Sequence, residues 1–156
     1  MTKLLKELGI HNQDEIDSRY EIMLESYCKT IKVEAKTALR IVKKEIYPAC
    51  VSYLNKVAIT ANNVKNNNID NSYLIDDVKD LSSLIEDMKL KTNALENALN
   101  EAKALNEYSL KTANIFKDKV LPAMEELRCV VDTLEDKVSY ADWPIPSYID
   151  LLFDIN

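Results

Sequence analysis

The sequence predicts an all-α fold: an antiparallel up-down-up bundle of three helices, with a long kinked first helix and a docked C-terminal strap rich in proline and aromatic residues. Three observations carry this. The 156 residues include one glycine, whereas sheets and tight hairpins draw on several for their turns. Apolar residues recur at intervals of three and four along most of the chain, the period of one helical face. The stretches with that period are separated by polar breaks. The expected helices cover about 13–61, 72–105 and 107–139, forming a bundle over 1–140. Residues 141–156 form the strap, ending in a short helical turn.

The first helix opens at Asn12. Asn12 and Glu15 have the spacing of a capping box, and Ile10 is placed to staple onto the first turn. An apolar line follows through Ile16, Tyr20, Met23, Tyr27, Ile31, Ala35, Ala38, Val42, Ile46, Ala49, Tyr53 and Val57. Leu24, Cys28 and Leu39 widen it, as a helix touching more than one neighbour requires. Pro48 interrupts the pattern without ending it, which predicts a kink.

The segment ANNVKNNNIDNS (61–72) is the clearest loop, because asparagine side chains compete with helix by bonding to nearby backbone. The second helix starts from Asp70 or Ser72 and carries Leu74, Val78, Leu81, Ile85, Met88, Thr92, Leu95, Leu99 and Ala102. Its mean step of about 3.5 asks for a closely packed antiparallel partner. A single helix from 73 to 138 would be on the order of 100 Å long, so a break is expected near Leu105–Ser109, capped by Asn106. The third helix carries Ala113, Phe116, Val120, Ala123, Leu127, Val131, Leu134 and Val138, with Pro122 inside it. EIYPACVSYL and KVLPAMEELR resemble each other, and the two prolines are expected at a similar height in the bundle.

The first helix is longer than the others by roughly ten to fifteen residues, an overhang of ~15–22 Å. Ile16, Arg19, Tyr20, Met23 and Tyr27 are therefore the candidate interface, since apolar surface without a partner usually belongs to one. Weak self-association through Ile16, Tyr20, Met23 and Tyr27 is expected. The tail WPIPSYIDLLF holds the only tryptophan. Trp143, Pro144, Pro146, Tyr148, Leu152 and Phe153 are expected to dock on the bundle, with Ser147 and Asp150 capping the last turn.

Chemistry is sparse. A net charge of −6 disfavours nucleic acid and anionic membrane surfaces as partners. No apolar stretch approaches a membrane span. Cys28, Cys50 and Cys129 read as reduced thiols, at least partly buried, in a cytoplasmic protein. His11 is the one histidine, which prevents a Glu-x-x-His pair on each of two helices. Gly9 alone cannot build a phosphate cradle. Asp76, Asp77, Asp80 and Asp87 fit a solvated helix face. The residues thus point to a binding or scaffold role, with no catalytic, metal or cofactor site expected in this chain.

Four blocks together resemble the C-terminal region of type III glutamine synthetases: SRYEIMLESYCKTIKVEAKTAL (18–39), YPACVSYL (47–54), VLPAMEELRCVVDTLEDKV (120–138) and WPIPSYIDLLF (143–153). The resemblance covers nearly the whole chain, least well in the Asn-rich loop and second helix. Ser147 stands where threonine is commoner. The resemblance implies a C-terminal piece of a longer enzyme that joins glutamate and ammonia at the expense of ATP, with Mg. It also implies that the catalytic residues lie upstream, since no such motif is present here. The implied partners are the upstream catalytic domain and neighbouring subunits of a homo-oligomer. The alternative is a free-standing helical interaction module, an adaptor or spectrin-like spacer.

Overall fold

A computed structural model of the chain describes residues 12–105, 107–146 and 151–152. Among the described residues there are three helical rods and no strand. The first rod comprises α1 (Gln13–Ile41), a π turn (Val42–Ile46) and α2 (Tyr47–Asn66). The second is α3 (Ser72–Ala104). The third comprises α4 (Leu110–Ile115), a π turn (Phe116–Val120) and α5 (Leu121–Lys137).

The capping box forms: Glu15 N–H donates to Asn12 Oδ1 at 2.8 Å, and Asn12 N–H donates to Glu15 Oε2 at 2.9 Å. Ile10 and His11 lie outside the described residues. The first rod runs past Ala61 to Asn66, so asparagines 62, 63 and 66 are helical despite their poor propensity. Asn68 then takes φ 58°, the left-handed turn that asparagine tolerates. The Asn71 side chain donates to the Ala61 carbonyl at 2.9 Å and holds the turn against the rod. α3 follows Asn71; the Asp70 carboxylate accepts from the Ser72 N–H at 3.1 Å.

α3 lies against α2 on one side and α5 on the other. Cross-links between rods fix the order of contacts. Lys43 meets Glu96. Lys119 meets Glu101 at 2.6 Å, Lys91 meets Glu126 at 2.9 Å, and Lys137 meets Asp80 at 3.4 Å. Numbers rise along the third rod as they fall along α3. These solvated pairs contribute at most about 1 kcal/mol each. Cohesion comes from the interior, where Cys28, Ala35, Cys50, Met88, Leu95, Val120 and Leu134 are almost wholly excluded from solvent. Thr92 is buried there too, its hydroxyl donating to the Met88 carbonyl at 2.7 Å, so no polar atom is stranded.

At each of the two prolines where a kink is expected the structure places a π turn. Val42, Ile46, Cys50 and Leu54 stand four residues apart. In a straight α-helix each such step overshoots a full turn by about 40°, so three would carry the line about 120° off the core. A π turn adds one residue to a turn and returns most of that rotation. The Tyr47 N–H accordingly donates to the Val42 carbonyl, five residues back. Pro48 follows at once: it has no N–H to place, and the widened turn relieves its ring of the preceding carbonyl. The third rod repeats this, with Thr112, Phe116 and Val120 four apart, Leu121 N–H donating to the Phe116 carbonyl, and Pro122 next. The first π turn is tied to Glu96 through Lys43 and the second to Glu101 through Lys119.

The cap of the third rod is Ser109, whose Oγ accepts from the Thr112 N–H. It takes the place expected of Asn106, which lies outside the described residues. Thr112 explains the choice: its hydroxyl donates to the Glu107 carbonyl at 2.8 Å, closing the turn one step later.

Candidate functional site

The first rod presents two different sides. Leu24, Cys28, Ile31, Ala35 and Leu39 face the other rods, and all but the half-buried Leu24 are buried. Ile16, Tyr20, Met23 and Tyr27 form a parallel line about 90° around the rod. Tyr20 is 50%, Met23 71% and Tyr27 38% exposed. Ile16 is half-buried and Arg19 exposed. The structure therefore brings the five candidate residues onto one stretch of α1, away from the core.

A hollow between the first rod and the turn before α4 is lined by Ser18, Tyr20, Ile22 and Leu24 on one side and Tyr108, Ser109 and Leu110 on the other, so Tyr20 reaches its rim. From Asn12 to Met23 no residue is buried, and Ile16 is half-buried; Cys28 is the first buried residue of the rod. Sequence reasoning passed over Ile22, 61% exposed, and Val33, also exposed; both fall off the three-and-four line.

Beside this surface, Lys29 is clamped. Its ammonium pairs with Glu25 at 2.6 Å and lies 5.6 Å from the centre of the Tyr108 ring. The Glu25 carboxylate, hydrogen-bonded and close, pushes the Lys29 pKa up. This is the one described link between α1 and the turn before α4 that involves a cation over a ring.

The tail is held at its start. Ser139 Oγ donates to Asp142 Oδ2 at 3.0 Å, and the Asp142 and Trp143 N–H groups both donate to the Ser139 carbonyl, at 2.9 and 3.1 Å. Lys56 of α2 pairs with the Asp142 carboxylate. The Lys56 hydrogen bond, then that from Ser139, holds the Asp142 pKa below its ordinary value. Trp143 and Ile145 are half-buried against the core, while Pro144 and Pro146 point outward. Leu152 is 58% exposed. Tyr148, Phe153, Ser147 and Asp150 lie outside the described residues. Ile145 and the Ser139–Asp142 clasp were missed, although Ser-x-x-Asp is itself a local capping signal.

The thiols divide. Cys28 and Cys50 are buried and Cys129 is exposed, which corrects the expected burial of Cys129: at this position α5 turns its solvent side outward. Desolvation raises the Cys28 pKa and pushes that of Cys50 up to about 11. Neither buried thiol is poised as a nucleophile at neutral pH. Among the described residues no three His, Cys, Asp or Glu side chains converge as a metal site. No described helix is long and apolar enough to cross a membrane.

Residues 1–65 match the family model described as the glutamine synthetase C-terminal domain. The chain is 32% identical over 162 residues to the type-3 glutamine synthetase of Dictyostelium discoideum, a match covering 97% of this chain and 21% of that protein. It is 29% identical over 153 residues to the glutamine synthetase of Butyrivibrio fibrisolvens, covering 95% and 21%. It is 25% identical over 150 residues to that of Bacteroides fragilis (strain YCH46), covering 92% and 20%. The chain thus spans about a fifth of the length of these relatives.

Proposed function

We propose that this chain, which belongs to the glutamine synthetase C-terminal domain family, is the structural and oligomerisation domain of a longer type-3 enzyme. It does no chemistry of its own. Glutamate, ammonia, ATP and Mg are handled by the rest of that protein, which makes glutamine in the cytoplasm. The chain's direct partners are the upstream catalytic domain and neighbouring subunits. Its own architecture is an up-down-up bundle with the tail from Trp143 onward serving as the strap.

The observation that carries this reading is the contrast on α1. A rod whose one side is fully packed keeps Tyr20 and Met23 in the open. Tyrosine, methionine and arginine are the residue types that interface centres enrich. In a longer enzyme such a surface would have the rest of the protein and other subunits to meet. The test replaces the matching C-terminal segment of the Dictyostelium enzyme. Deleting it should disperse the assembly seen by sedimentation and reduce glutamine formation, and grafting this chain in its place should restore both. An assembly of unchanged size after deletion would refute the proposal. Glutamine formation by the isolated chain would refute its non-catalytic part.

A further inference from the structure

We infer that a cavity between α1, the end of α3 and the second π turn is a binding site for a small acidic amino acid. The cavity holds about 190 Å³, below the range of drug-sized sites, which suits a small metabolite. Its walls come from this chain alone. Leu99 of α3 is half-buried, and Ala102 and Phe116 are buried, so part of the lining is apolar. Lys32 of α1 and Lys103 of α3 line the same cavity. Lys32 is half-buried, yet neither ammonium makes an ion pair among the described residues. Elsewhere the lysines between rods do meet carboxylates, as Lys43, Lys91, Lys119 and Lys137 show. Glu25 and Glu101 are already engaged, by Lys29 and Lys119.

Two like charges in one partly desolvated cavity repel, and a carboxylate between them relieves the repulsion with charge-assisted hydrogen bonds. The rest of the lining narrows the ligand further. Glu107 is its one carboxylate. The buried Thr112 hydroxyl is already donated to the Glu107 carbonyl. A simple dicarboxylate would meet Glu107 with like charge. A ligand that carries an ammonium beside its carboxylates answers all three charged groups: carboxylates for Lys32 and Lys103, the ammonium for Glu107. Two lysines against one glutamate leave the lining one positive charge, and an acidic α-amino acid carries one negative charge. Tyr108, with the Lys29 ammonium 5.6 Å from its ring centre, completes the wall.

Titration calorimetry of the chain with L-glutamate and L-aspartate tests this. At least one should bind with a Kd of about 1 mM or lower. At about a hundredfold excess over Kd it should raise Tm by roughly 5–10 °C. Glutarate, which lacks the ammonium, should bind at least about tenfold more weakly. Lys32→Met keeps an apolar stem and should weaken amino-acid binding at least about tenfold, as should Lys103→Gln. Lys36→Met, exposed and outside the cavity, should leave binding unchanged. Glu107→Gln should narrow the preference over glutarate. Helical circular dichroism checks the fold of each variant, and Lys103, being exposed, keeps the test open if Lys32→Met unfolds. No binding of either amino acid up to about 10 mM, or an affinity unchanged in the lysine variants, would overturn the site. Glutarate or sulfate binding as tightly as the better amino acid would mean an unselective cationic patch and overturn the assigned ligand. None of these outcomes depends on assembly, so failure here leaves the oligomerisation reading intact.

Discussion

Cys28 and Tyr27 are neighbours in sequence, yet one is wholly buried and the other open to solvent. The same contrast separates the two sides of α1 along its first half. On one side Cys28, Ile31 and Ala35 are buried in the core; on the other, Tyr20 and Met23 are 50% and 71% exposed. Both sides are apolar and both repeat at three and four. The difference teaches that periodicity identifies a helix but not which of two adjacent apolar lines the fold will use. Small residues, Cys28 and Ala35, mark the line where rods approach closely. Large amphipathic ones, Tyr20 and Tyr27, mark the line left outside, where a hydroxyl can remain hydrated.

The largest effect should come from breaking the packed side. Leu95 is fully buried at the centre of α3. Leu95→Ala should lower stability by about 2–5 kcal/mol, through lost transfer energy and a residual cavity. Met23→Ala removes a side chain of similar size from the open side and should change stability by less than about 0.5 kcal/mol in dilute solution. Urea titration followed by circular dichroism measures both. Equal losses would mean that the two sides of α1 do not differ as described.

A second effect concerns how the packed side keeps its alignment across the prolines. If the π turn is one extra residue that holds Cys50 and Leu54 on the core line, deleting Lys44 leaves the downstream register intact and converts the turn to α-helix. Pro48 would then sit in an uninterrupted helix, and the deletion should cost about 3 kcal/mol. Adding Pro48→Ala to the deletion should recover stability to within about 1 kcal/mol of the parent chain. The same urea titration reads the outcome. If the double variant stays as unstable as the deletion, the turn does more than correct register.

Much of this was legible beforehand. The three rods, the Asn12 capping box and the buried lines on α3 and the third rod follow from period and cap chemistry, from Leu81 to Ala102 and from Ala113 to Val138. The π turns were written in the sequence as runs of fours, Val42-Ile46-Cys50-Leu54 and Thr112-Phe116-Val120. Read together with the prolines these imply a kink just as readily, and only the rotation count separates the two. The length of the first rod was underestimated because Asn62 and Asn63 bond well enough within a helix already stabilised by packing. The position of the third rod's cap turned on Thr112, whose inward hydroxyl has no signature in a pattern of apolar residues. Tyr20 and Met23 are exposed as expected, and an overhang and an outward side of the rod would expose the same residues. Ile145 was not singled out in the tail, although it packs beside Trp143.

The smallest effect should appear at the clasp that joins the tail to the packed side. The hydrogen bonds from Lys56 and Ser139 hold the Asp142 carboxyl below its ordinary pKa. A depressed folded value means that the unfolded tail binds its proton at higher pH than the docked tail does. The contribution is therefore complete above the ordinary carboxylate range and is lost as the pH falls through that range and the lower docked value. Trp143, the only tryptophan, reports on this directly: its emission should shift to longer wavelength in acid as the segment loosens, while helical circular dichroism is retained. Because the pair is solvated, the change should be modest and weaker in high salt. Asp142→Asn has no proton to gain and should remove the acid step while leaving Leu95 and its neighbours packed. An acid shift of the same size and midpoint in that variant would place the titrating group elsewhere and leave the clasp as mere proximity.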